Sequence, residues 1–236
     1  MRRRLIVALA VLTLLLAACT SSTKVAGPTD VATQTPAVVK ATHPAPINDA
    51  EETAGDGTST VQGTTCGYVR WATKTGTDKL AAKVDLHPKT TTIAALLAFR
   101  SPLPKVSGNK PGPNVGRYAG TAEMQAFTLS ATLTEFAGQH DSDIHLVLAD
   151  SAKHTLIVEI PAPACVKGGP FAAGIVNARK AFLAKYPRPP VYPAPFAQTS
   201  QPVTVTGVGF FDYVHGQSGV AGNGVELHPL LSIVFR

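Results

Sequence analysis

Two short stretches of this 236-residue sequence carry imidazole and carboxylate groups at the spacing of a β-strand. In Val225-Glu226-Leu227-His228, Glu226 and His228 alternate with apolar residues and therefore share one strand face. In the run from Asp143 to Leu148, Asp143 and His145 lie opposite Ile144, Leu146 and Leu148. Glu159 sits between Val158 and Ile160 in the same alternation. A tight hairpin at residues 151–153 sets His145 nearly opposite Glu159, where cross-strand side chains interact. Two imidazoles and two carboxylates (His145, Glu159, Glu226, His228) suit zinc or a related divalent metal. The same groups suit an acid–base pair for hydrolysis. Asp141, Asp143 and His215, near strand ends, are secondary candidates that would complete either arrangement. The plain alternative is a solvated outer face, because outward strand faces are ordinarily polar and His–Glu pairs are common there.

The elements that must hold these residues follow in a readable order. Residues 127–136 alternate apolar and hydroxyl side chains, as a half-buried strand does. Residues 143–149 and 155–160 form a second and third strand, and Pro161 and Pro163 end the third. Gly168-Gly169-Pro170 opens a helix whose stripe is Phe171, Ile175, Ala178, Phe182 and Tyr186. A proline-rich connection covers 189–202. Residues 203–214 form a fourth strand, bent at Gly207 and Gly209. A glycine-rich loop, 215–224, precedes a fifth strand at 225–235. The order β-β-β-α-β-β is that of the OB-fold, a five-stranded Greek-key barrel. The expected class is mainly β with one helix (α+β), and another small mixed barrel or roll fits the same order. In an OB-like barrel the fifth strand lies beside the third, which gathers the four candidate residues on three neighbouring strands.

Charge separates the folded part into two segments. Residues 66–122 hold nine basic and two acidic residues, whereas 123–236 hold seven and eight, so the net charge of +6 does not come from the barrel. The basic segment is expected to be an extension packed on the barrel, with a short capped helix at 91–97 and an irregular strand at 66–71. Its Arg70, Lys74, Lys79, Lys83, Lys89 and Arg100 are candidates for phosphate contacts or for an acidic envelope surface. Nucleic acid is not the favoured partner, because the barrel is near neutral and its first three strands carry no lysine or arginine. Nuclease-like enzymes of this barrel order pair arginines with carboxylates, and here no arginine lies between Arg117 and Arg179. There is no G-x-S-x-G, P-loop, C-x-x-C or H-E-x-x-H motif.

The amino terminus supplies an address. Arg2-Arg3-Arg4 precedes an apolar run from Leu5 to Ala18, which is shorter than the roughly 20 residues that span a bilayer. Leu16-Ala17-Ala18-Cys19 resembles the lipobox of bacterial lipoproteins. That resemblance implies a signal peptide at 1–18, cleavage before Cys19, and lipid on its thiol. An ordinary signal peptide with a chance cysteine is the alternative. Residues 19–65, rich in Thr, Ala and Pro, are expected to be a disordered tether. Export to an oxidising compartment favours a disulfide between the remaining cysteines, Cys66 and Cys165, over two free thiols.

Three longer motifs carry a further resemblance. Cys66-Gly-Tyr-Val-Arg-Trp71 with Lys74-Thr-Gly-Thr-Asp78, the run from Asp141 to Asp150, and the run from His215 to Pro229 are similar to a family of uncharacterised secreted bacterial proteins. The resemblance implies domain limits and no activity. The expectation is a monomeric lipoprotein on the outer side of a bacterial membrane. Its barrel would bind a ligand or envelope partner without catalysis, and the alternative is a metal-dependent hydrolase, of phosphodiesters for example. Expressed in a bacterial host, the chain is expected to incorporate radiolabelled palmitate, and Cys19→Ser to abolish it. Label persisting in that variant would place the lipid elsewhere.

Overall fold

The computed structural model describes residues 59–61, 64–103 and 115–236. The signal-like segment, Cys19 and most of the expected tether lie outside the described residues. The end of that tether is ordered, in contrast to expectation. Strand β1 (Ser59–Val61) pairs antiparallel with β2 (Thr64–Cys66). Threonine and valine favour extended backbone, and Cys66 is fixed by a disulfide to Cys165, with Cα atoms 5.6 Å apart. The disulfide expectation is met.

The chain after Cys66 turns instead of continuing as a strand. Helix α1 (Trp71–Thr75) is entered through Arg70 in the left-handed conformation, φ 47°. Next come β3 (Asp85–Thr90) and α2 (Ile93–Leu97). The Thr92 side chain accepts a hydrogen bond from the Ala95 N–H, which caps α2 as its sequence predicts. The remaining elements are β4 (Gln125–Gly138), β5 (Ile144–Ala149), β6 (Thr155–Ile160), α3 (Ala172–Lys185), β7 (Ala197–Phe211) and β8 (Val225–Phe235).

The architecture is mainly β, with a six-stranded mixed sheet in the order β3-β4-β5-β6-β8-β7. Strand β4 also pairs antiparallel with β7, so β4, β5, β6, β8 and β7 close on one another. The β6–β8 pairing is parallel, and the pairings β4–β5, β5–β6 and β7–β8 are antiparallel. The parallel edge strand β3, against β4, was not foreseen: its residues are all exposed, so it carries no burial alternation to detect.

One face of β5, β6 and β8 builds the main core. Ile144, Leu146, Leu148, Leu156, Val158, Ile160, Val225 and Leu227 are each at most 1% exposed. Helix α3 contributes Ala178 and Phe182 to that core, and Phe171 and Ile175 join a second cluster with Ala81, Val84 and Val208. Gly174 permits close packing of α3 on β8, since a Cβ there would meet Leu231 at 2.9 Å.

Strand β7 begins at Ala197, inside the expected proline-rich connection, and ends at Phe211 rather than residue 214. The reason is the length of β4, which offers Phe136 and Glu135 as partners to Ala197 and Gln198. Pro202 sits opposite Thr132 within the ladder. Local sequence marks a proline as a breaker, but a long partner strand tolerates one missing donor.

The disulfide spans 99 residues. Replacing both cysteines by alanine is expected to lower unfolding free energy by about 2–5 kcal/mol. Guanidinium melts of the two forms measure this, and coincident midpoints would show that other contacts hold the extension.

Candidate functional site

The second face of β5, β6 and β8 is polar, and it is not an outward face. His145, Glu159, Glu226 and His228 are between 0% and 5% exposed. This corrects the expectation of a solvated strand face. Alternation separates the two faces of a strand but does not say what covers each. Here Lys74 of α1 reaches over the sheet to Glu159 and Asp212, with Nζ 3.9 Å from a carboxylate oxygen of each. Phe196 packs edge-on against His145, and Phe210 lies beside His228, with ring centroids 5.3 and 5.5 Å apart. The loop between β7 and β8 closes the remaining side. Gly219 adopts φ +78° there and passes so near Val147 that a Cβ would lie 2.4 Å from it.

Glu159 is the centre of this arrangement. In the antiparallel ladder it is the register partner of His145. Its Oε1 is 3.0 Å from His145 Nδ1, and its Oε2 is 2.8 Å from His228 Nδ1. His228 Nε2 faces Asp143 Oδ2 at 3.3 Å. His145 Nε2 lies 2.9 Å from the Ser218 carbonyl oxygen, which ties the cluster to the covering loop. The Ser218 hydroxyl in turn donates to the Glu135 carboxylate.

Burial and charge act in opposition at these groups. Burial favours the neutral form of Glu159, but hydrogen bonds from His145 and His228 outweigh it. With the charges of His228 and Lys74, they hold its carboxyl well below the usual range. Asp143 goes the other way: burial pushes its carboxyl up, more than the His228 contact lowers it. Burial also disfavours imidazolium at His228, yet the contacts to Asp143 and Glu159 raise its pKa above the ordinary value.

Asp143, Glu159 and His228 each present a ligand atom within 4.8 Å of the others, and all three are buried, so this set could hold a metal ion. The membership differs from the sequence expectation. Asp143, placed there as secondary, is central. His145 touches Glu159 from outside the trio. Glu226 shares the face of His228 and stands opposite Phe210 in the ladder. Asp141 is buried and accepts the Asp143 N–H at 3.0 Å. His215 stacks on Tyr213 at 4.2 Å, and its backbone N–H donates to Gln217, so it belongs to the loop.

Sequence reasoning missed Asp212 and misplaced two cations. Arg70 and Lys74, expected as outward phosphate contacts, are both fully buried. Arg70 donates to both carboxylate oxygens of Glu123, at 2.7 and 2.8 Å, and to the Phe211 carbonyl at 2.8 Å. The Phe211 N–H donates to Glu123 Oε1 at 3.0 Å. Arg117 is likewise turned inward, donating to Asp78 and to the carbonyls of Thr73 and Glu123. Lys79, Lys83, Lys89 and Arg100 remain exposed. The sequence carried no local signal for this, because in a strand the apolar Val69 and Trp71 would set Arg70 on the opposite face.

An open groove lies on the wall beyond this cluster. It is lined by Glu135, Lys153, Thr155, Gln198, Gln217 and Ser218, among others. Ser218 thus stands between the groove and the enclosed imidazoles. Neither a protein-family model nor a curated protein sequence matches this chain.

Removing one partner of a buried charge network leaves the others uncompensated. Glu159→Gln is expected to destabilise the fold by about 3–5 kcal/mol. Asp150→Asn breaks the more exposed pair with His154 (2.8 Å) and is expected to leave the denaturation midpoint nearly unchanged. Equal shifts in the two variants would contradict the importance given to the enclosed network.

Proposed function

We propose that this chain is an exported lipoprotein, anchored by lipid on Cys19, whose barrel is a non-catalytic binding module of the cell envelope. The observation that carries this reading is the contrast between an enclosed polar cluster and an open polar groove. The side chains of catalytic type are covered by α1, Phe196 and the 215–221 loop, where a substrate does not reach them. The groove beside them offers hydroxyl and amide groups, with one acid and one base, to a ligand that hydrogen-bonds. The closed order β4-β5-β6-β8-β7, with α3 between β6 and β7, supports an OB-like barrel. Barrels of that kind often bind saccharides or nucleic acids on this wall. The inward use of Arg70, Lys74 and Arg117 weakens the case for nucleic acid. No helix among the described residues is long and apolar enough to cross a membrane, so lipid on Cys19 supplies the attachment in this reading.

A second reading, a metal-dependent hydrolase, is favoured by the Asp143, Glu159 and His228 cluster. It requires a divalent, zinc-like ion and an opening of the covering loop.

The test is binding of the purified full chain to peptidoglycan sacculi, phospholipid vesicles and a DNA oligomer across a salt series. Saturable binding to sacculi, weakened at least tenfold by a Gln198→Ala, Lys153→Ala double variant, is the expected outcome. Binding to DNA alone, falling steeply with salt, would replace the proposal with nucleic-acid recognition. In parallel, bis(p-nitrophenyl) phosphate is expected to survive incubation with the chain and added zinc. Turnover lost in a His145→Ala, His228→Ala double variant would put the hydrolase first.

A further inference from the structure

We infer that the pocket lined by β3, the end of α2 and the start of β4 binds one single-chain amphiphile with an anionic head, a carboxylate or a phosphate. The pocket lies at the opposite end of β4 from the groove of Glu135 and Gln198, and the inference does not rest on that groove.

The pocket has a volume of about 570 Å³, the size of a small-molecule site. Phe99 and Phe127 supply its aromatic surface, with ring centroids 5.8 Å apart, and Pro102 and Ala122 extend the apolar part. Phe127 is buried, whereas Phe99 is 38% exposed and leaves a large apolar surface in water. Lys89 and Arg100 line the same pocket, and no acidic residue does. Asp85, the acid on β3, is engaged by His87, through its backbone N–H at 2.9 Å and Nδ1 at 3.2 Å. Two cations beside two phenyl rings fit an anion that carries an apolar body. The guanidinium fork and the ammonium suit a carboxylate or phosphate head. A bare anion would leave the rings uncovered, and an uncharged chain would leave the cations unused.

Both walls are fixed without a ligand. Strand β3 buries none of its residues, so apolar packing does not hold it. Its register moves from Asp85 opposite Gln125 to Lys89 opposite Phe127, which leaves residues 86–88 as a bulge. The buried Gln125 pins that bulge: its amide nitrogen donates to the carbonyls of Asp85, His87 and Ala126 at 3.2, 2.9 and 3.0 Å. Lys89 is thereby set beside the Phe127 ring. Asn223 does the same for the second wall. Its Nδ2 donates to the carbonyls of Leu96, Leu97 and Phe99 at 3.1, 3.2 and 3.0 Å, and its Oδ1 accepts the Val225 N–H at the start of β8. Phe99 and Arg100 are thereby tied to the barrel. A pocket whose backbone is already ordered loses less freedom on binding.

The experiment is calorimetric titration of the purified full chain with monomeric decanoate, hexanoate, decyltrimethylammonium and inorganic phosphate. One decanoate is expected per chain. Hexanoate is expected to bind at least tenfold more weakly, because each buried methylene is worth about fourfold in affinity. Decyltrimethylammonium, the same chain with a cationic head, and phosphate alone are expected not to saturate the site. A Lys89→Gln, Arg100→Gln double variant is expected to weaken decanoate at least tenfold. Lys79→Gln with Lys83→Gln removes the same charge from exposed residues outside the pocket and is expected to change nothing. Equal weakening by the two pairs would overturn the inference in favour of diffuse charge. Equal affinity for decyltrimethylammonium would overturn it in favour of plain apolar contact. Anionic phospholipid vesicles bound by a chain that takes up no decanoate would also overturn it, and make this face a membrane contact. Decanoate binding is expected to survive the Gln198→Ala, Lys153→Ala double variant; its loss there would place the ligand in the other groove and overturn this inference alone.

Discussion

A carboxylate removed from water must be met by charge or by donors, and Glu159 is where this chain meets that demand. Its two oxygens are shared among His145, His228 and Lys74, which come from β5, β8 and α1. Those three elements are far apart in sequence. The closed barrel brings β5, β6 and β8 side by side, and the disulfide from Cys66 to Cys165 keeps α1 within reach of them. The covering loop completes the enclosure through Ser218. Without Glu159, His228 would still face Asp143 and Lys74 would still face Asp212, but the three elements would lose the carboxylate they share.

A second buried pair follows the same logic one layer away. Arg70 and Glu123 join the start of α1 to the turn before β4, and Glu123 also accepts the Phe211 N–H at the end of β7. The Arg70 guanidinium lies 4.7 Å from the ring centroids of both Tyr118 and Phe210. The basic extension is thus held to the barrel by its own cations, which leaves fewer of them for an external partner. Its excess of positive charge is partly an internal fastening and only partly a surface property.

Enclosure also governs what chemistry is available. Histidines and carboxylates in an open cleft suggest acid–base work. The same groups at 0–5% exposure suggest a fixed network, because substrate would have to displace Phe196 or the loop at Gly219. The nearby groove, in contrast, is open and modestly polar. Binding on the wall and rigidity beneath it are compatible uses of one site.

The local pattern of the chain was sufficient for much of this. Alternation located β5, β6 and β8 within a residue or so, the apolar stripe located α3, and expected export favoured a disulfide between the two remaining cysteines over two free thiols. The facing of His145 and Glu159 was legible because a tight hairpin fixes register. What local pattern does not carry is which side of a strand meets water. Only the folded chain decided that the polar face is covered, that Asp143 joins Glu159 and His228, and that Lys74 and Asp212 arrive from distant segments. The physical reason is that alternation and helical stripe are set by neighbouring residues, whereas burial of a charge depends on partners tens to hundreds of residues away.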